Sequence, residues 1–110
     1  MNQIIWSEDA GNEFLDILSY YLEKYGKEKT LDISERIIKK IEKLPSFPKQ
    51  GKISPELYEI GITEIREIIE LPWRIFYKVE STTIYIISIL DSRRNIEELL
   101  YKKVIDGKIK

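Results

Sequence analysis

Four arginines are the first residues to question about chemistry. Arg66 and Arg74 fall in two neighbouring apolar-rich segments, and Arg93 and Arg94 follow a third. A planar guanidinium grips phosphate or carboxylate through paired N–H bonds. If the three segments are adjacent strands, these side chains can converge on one concave face and hold a phosphodiester or an acidic peptide. The competing reading pairs Arg66 with a strand acid such as Glu64 and leaves Arg93 and Arg94 as solvated loop charges. Both readings stand at this level.

Acid–base candidates are few. The chain has no histidine and no cysteine. That removes the usual general base, the usual zinc ligand, thiolate chemistry and disulfides. Proton transfer would fall to Asp, Glu, Lys or Tyr. Seven tyrosines are many for 110 residues. Tyr77 and Tyr85 sit in strand-like segments and Tyr101 in a helix-like tail. A tyrosine beside arginines can stack on a base or exchange a proton once its pKa is lowered. More often a strand tyrosine is a core aromatic with its hydroxyl at the rim. Glu64, Glu67, Glu70 and Asp91 do not form a spaced ligand motif, so no metal or other cofactor is expected. Phosphate-binding glycine loops and the GxSxG and HExxH patterns are absent.

Charge is balanced in total, at 18 basic against 19 acidic residues, but not along the chain. Residues 1–23 carry five acids and no base, whereas residues 36–52 carry six bases and one acid, Glu42. Residues 53–70 return to acid, and residues 92–110 to base. A nucleic-acid binder usually has a clearly positive domain. This chain does not, and the plain reading of its basic runs is solvated helix faces. No stretch approaches the roughly 20 apolar residues of a membrane span. The N-terminus lacks the features of a secretory signal. A cytoplasmic protein without membrane association is expected.

Several elements must position these residues. Gln3–Trp6 reads as a short strand, and Ser7 as the N-cap of a helix with Glu8 and Asp9 in its first turn. Phe14, Ile17, Leu18, Tyr21, Leu22 and Tyr25 form its apolar stripe, and Gly26 ends it. Ile33, Ile37, Ile38, Ile41 and Leu44 mark a second helix stopping before Pro45. The short link predicts an antiparallel helical hairpin. Residues 45–63 are loop with one helical turn near residues 55–60. Strands follow at 65–71, at 73–80 with Trp73, Ile75, Tyr77 and Val79 on one side alternating with Arg74, Phe76, Lys78 and Glu80 on the outward side, and at 82–90, apolar on both faces. Ile96, Leu99, Leu100 and Val104 stripe a final helix. The order predicts one α+β domain over residues 1–110, with the helical hairpin packed on an antiparallel sheet and a C-terminal helix.

Five short motifs in this order resemble the RelE/ParE superfamily of toxins. Trp6-Ser7-Glu8-Asp9-Ala10 is similar to its W-x-x-x-A opening. Leu44, Pro48 and Gly51-Lys52 resemble the L-x-x-x-P-x-x-G-[RK] link. Arg66-Glu67-Ile68 resembles the R-E-L strand, and Trp73-Arg74-Ile75-Phe76-Tyr77 the [YW]-R-[IV]-x-Y strand. Ile86 to Arg94 resembles the closing strand with its basic end.

The resemblance implies a growth-inhibiting toxin of a type II pair, of the plasmid-stabilisation kind, neutralised by a cognate antitoxin protein. The implied partner-binding residues are Arg66, Arg74, Arg93, Arg94 and Lys52. Its ParE-like branch implies DNA gyrase as target and no nuclease chemistry. Its RelE-like branch implies mRNA cleavage on the ribosome, with Arg66, Arg74, Arg93, Glu67 and Tyr101 as the candidate catalytic set. Positions where RelE-like nucleases often carry lysines read Ile65 and Glu67, and the frequent histidine is replaced by Asp91 or Ser92. The expectation therefore leans to gyrase, with the ribonuclease as alternative and a non-toxic binding module of the same fold as a third.

Overall fold

The computed structural model describes residues 3–110. Its elements are β1 (Gln3–Trp6), α1 (Glu8–Tyr25), α2 (Lys27–Glu42), β2 (Lys52–Ile53), α3 (Pro55–Tyr58), β3 (Ile65–Glu70), β4 (Trp73–Glu80), β5 (Thr83–Asp91) and α4 (Ile96–Ile105). The five strands lie in the order β1-β5-β4-β3-β2. β2 through β5 pair antiparallel, and β1 joins the far edge parallel to β5. This is the expected α+β arrangement. The parallel β1 is a detail that local sequence does not carry, because its partner lies some eighty residues away (Ile4 opposite Ile84).

Local chemistry starts and stops the helices. Ser7 Oγ accepts from Ala10 N at 3.0 Å and donates to Ile87 O at 2.9 Å, so one hydroxyl caps α1 and ties it to β5. Gly26 joins α1 to α2 at a φ of 87°, where a side chain would be strained. Its carbonyl accepts from Thr30 Oγ1 at 2.8 Å. The resulting hairpin lays Ile33, Ile37, Ile41 and Leu44 against Ile68, Trp73, Ile75, Tyr77, Ile84, Ile86 and Ile89 of the sheet.

The other face of the sheet is also covered. Leu57 of α3, Ile96 and Leu100 of α4, and Ile109 pack with Ile65, Phe76 and Leu90. Phe76 was expected on the outward side of β4. It is fully buried, because α3 and α4 turn that outward side into a second core. β5 carries one extra residue here: Tyr77 pairs with Ile86 but Phe76 pairs with Ser88, leaving Ile87 as a bulge. Glu13 of α1 answers the disturbed strand, accepting from Ser88 Oγ at 2.8 Å and Ile89 N at 3.0 Å.

Candidate functional site

The turn at Leu71–Pro72 fixes which face each arginine occupies. It brings Glu70 opposite Trp73, so Arg66 pairs across with Tyr77, and Arg74 with Ile69. Tyr77 belongs to the core under the helical hairpin, whereas Leu90, the other neighbour of Arg74, belongs to the second core. Arg66 and Arg74 therefore lie on opposite faces, and the four arginines do not converge on one surface.

Arg74 is held in a cluster of carboxylates. Its Nη1 and Nη2 donate to Glu56 of α3 at 3.0 and 2.7 Å. Its Nε donates to Glu67 Oε2 at 2.9 Å, and Nη2 reaches Glu67 Oε1 as well. The guanidinium also lies over the Phe76 ring, 5.1 Å from its centroid. Burial alone would lower the pKa of Arg74, but the bonds to Glu56 and Glu67 outweigh it and raise it. Arg74 in turn holds the Glu56 carboxyl below the usual glutamate range. Glu67 is 2% exposed. All three Arg74 nitrogens already face carboxylates, so no paired N–H edge is left for a phosphate.

The other candidates stand apart. Arg66 Nη1 donates to the Gly51 carbonyl at 2.7 Å, bracing the loop before β2. Lys52 is exposed on β2, opposite Glu67 in register. Arg93 forms a two-pronged pair with Asp91, with Nε–Oδ1 at 2.9 Å. That pair holds the Asp91 carboxyl low and the Arg93 guanidinium high. Arg93 and Arg94 border a cleft of about 400 Å³ that also takes in Asp16, Tyr20, Tyr21 and Trp73. Tyr101 lies on α4, beside Glu97, Glu98 and Lys102. Desolvation, then the charges of Glu97, Glu59 and Glu56, push its pKa up, opposite to what a general base requires. Among the described residues no group of three or more carboxylates is placed to hold a metal.

Sequence reasoning missed Glu56, the partner that closes the Arg74 cluster. Ser54-Pro55-Glu56 does signal a helix start, and Ser54 does cap α3. Nothing local shows that this turn folds over β4. It missed Glu13 for the same reason. Glu13 joins the β5 bulge to α4 through Lys103 Nζ at 3.0 Å, and Asp9 pairs with Lys103 at 2.6 Å and Lys108 at 3.0 Å.

A helical hairpin on one face of a largely antiparallel sheet, with a C-terminal helix across the other, is the architecture expected of a toxin from a type II toxin–antitoxin pair. The family model described as the ParE toxin of a type II toxin-antitoxin system, parDE, matches residues 4–96, and the chain belongs to that family. The fold is similar to a solved structure titled "Chromosomal ParDE TA system from P. aeruginosa", with a TM-score of 0.68 and 22% identity. The alignment covers 83% of this chain and 96% of that one. No curated protein matches.

Proposed function

We propose that the chain inhibits growth in the cytoplasm by binding DNA gyrase, without cleaving RNA, and that a cognate antitoxin neutralises it. The observation that carries this reading is the closed Arg74 cluster. A ribonuclease of this fold needs cations free to stabilise the developing charge on phosphorus. Here Arg74 is committed to Glu56 and Glu67, and Arg66 donates to a backbone carbonyl. Neither candidate base suits the role, since Glu67 is buried in an ion pair and the pKa of Tyr101 is pushed up by desolvation and nearby carboxylates. Arg93 and Arg94, at an aromatic-lined cleft, are the partner-binding residues that suit an antitoxin segment. Arg66 and Arg74 act instead by positioning the loop and α3.

The test runs two assays on one preparation. With gyrase and relaxed plasmid, the protein should block supercoiling. With ribosomes on a defined mRNA, the 5′ ends should stay intact. Codon-registered cuts would overturn the proposal in favour of the ribonuclease. Inactivity in both assays, with harmless expression in cells, would leave a binding module with the toxin fold.

A further inference from the structure

Apart from Lys52, the basic run from the end of α2 to β2 has no role in the toxin reading. Lys40, Lys43 and Lys49 form no ion pair among the described residues, whereas Arg36, earlier on the same helix, does. Arg36 fixes where this side of α2 points. Its Nη2 donates to Glu70 at 2.9 Å and to the Leu71 carbonyl at 3.2 Å, at the end of β3. Lys40 and Lys43, four and seven residues on, continue that row along the helix. Glu42, the one acid of the run, lies about 200° around the helix from Lys40.

The loop that follows is mounted rigidly. The buried Tyr77 hydroxyl donates to the Pro48 carbonyl at 2.8 Å and accepts from Gly51 N at 2.9 Å. Arg66 grips the Gly51 carbonyl. A Cβ at Gly51 would lie 2.5 Å from the Glu67 carbonyl oxygen, so only glycine fits beside the sheet. Phe47 accepts from Gln50 N at 3.0 Å through its carbonyl, and its own N–H turns back to Lys43 and Leu44. This fixed loop holds Phe47 65% exposed.

We infer that this surface binds single-stranded nucleic acid, with Lys40, Lys43 and Lys49 along the phosphates and a base stacked on Phe47. The cations are lysines, point charges that follow a flexible phosphate chain without demanding a fixed fork geometry. The exposed aromatic offers a flat face that any unpaired base can cover. An acidic peptide would satisfy the lysines but bring nothing planar to the ring. A duplex would keep its bases stacked on one another. The inference does not depend on which macromolecule the toxin disables.

Fluorescence anisotropy of a labelled 15-nucleotide oligothymidylate, titrated with the purified chain, tests it. Binding should weaken with salt, with log Kd rising against log salt at a slope of about 2, near 0.7 for each of the lysine contacts. Phe47→Ala and Phe47→Leu should each weaken binding roughly tenfold with little change in that slope. Lys43→Gln with Lys49→Gln should lower the slope by about 1.4. These side chains are exposed, and circular dichroism confirms that each variant is folded. A duplex of equal length should bind at least about tenfold more weakly, the stacked base being lost. No binding at low salt overturns the inference. So does polyglutamate of matched charge competing as well as the oligonucleotide, with the Phe47 variants unchanged, which would assign the surface to an acidic peptide.

Discussion

On the sheet face beneath α3, Arg74 meets two carboxylates within hydrogen-bond distance, and a ring lies under its guanidinium. Around residues 40–49, Lys40, Lys43 and Lys49 form no ion pair among the described residues. The first region has its charges answered internally and its surface closed by α3 and α4. The second leaves its charges in water on a loop that buried groups hold still. An arginine in the right strand of a toxin fold is therefore not by itself evidence of phosphate chemistry. What matters is whether its donors are already taken. The two regions thus have opposite capacities for a ligand.

The largest way to break this contrast is at Arg74. Arg74→Met leaves Glu67 and Glu56 without their cation in a largely covered site, and should cost about 3–5 kcal/mol in urea unfolding. Adding Glu56→Gln and Glu67→Gln should recover much of that loss, since no uncompensated charge remains. A single-variant cost below about 1 kcal/mol would mean that the cluster is solvated and its charges open to ligands. Next comes the mount of the loop. Gly51→Ala forces a methyl against the Glu67 carbonyl and the Tyr77 ring, and should cost about 2–3 kcal/mol. Tyr77→Phe leaves the Gly51 N–H and the Pro48 carbonyl without their partner, for about 1–3 kcal/mol. It should also weaken oligonucleotide binding while the fold survives, because the ring of Phe47 loses its fixed position. Unchanged binding in folded Tyr77→Phe would show that the mount is irrelevant to the surface.

Acid acts on the closed cluster. Arg74 holds Glu56 below the ordinary glutamate pKa, so near that value the unfolded chain binds more protons than the folded one. The stability contributed by this pair is complete above about pH 4.3 and is lost as pH falls through the folded value. Glu56→Gln should flatten the fall in stability below about pH 4, measured by urea midpoints across pH.

Much of this arrangement is legible in the chain and part is not. Ser7 and Gly26 mark helix ends that appear where their side chains or dihedrals require. The stripes Ile33-Ile37-Ile41 and Ile96-Leu100 give the buried faces of α2 and α4. β4 follows from period two, and β5 from a run that is apolar on both faces. What fails is everything that depends on which elements cover which face. Phe76 reads as outward because alternation knows nothing of α4. The arginines read as convergent because spacing names the strand of Arg66 and Arg74, whereas the Leu71–Pro72 turn decides their faces. Glu56 is ten residues before Arg66 and eighteen before Arg74, and only the fold of the intervening loop brings it to the second of them. The two-residue β2 is too short to leave a pattern at all.

The smallest effect is also the sharpest test of the contrast. If the lysines around the loop are unanswered in the folded chain, removing one relieves mutual repulsion and breaks no contact. Lys43→Gln should then leave stability within about 0.5 kcal/mol of the parent, on the favourable side at low salt. The gain should fade as salt shortens the screening length below about 10 Å. Parallel unfolding curves at low and high ionic strength would show it. A loss above about 1 kcal/mol that persists in high salt would mean that Lys43 has a structural partner within the fold. The difference between the closed cluster and the open edge would then be one of degree, and the surface would have fewer free charges to offer a nucleic acid.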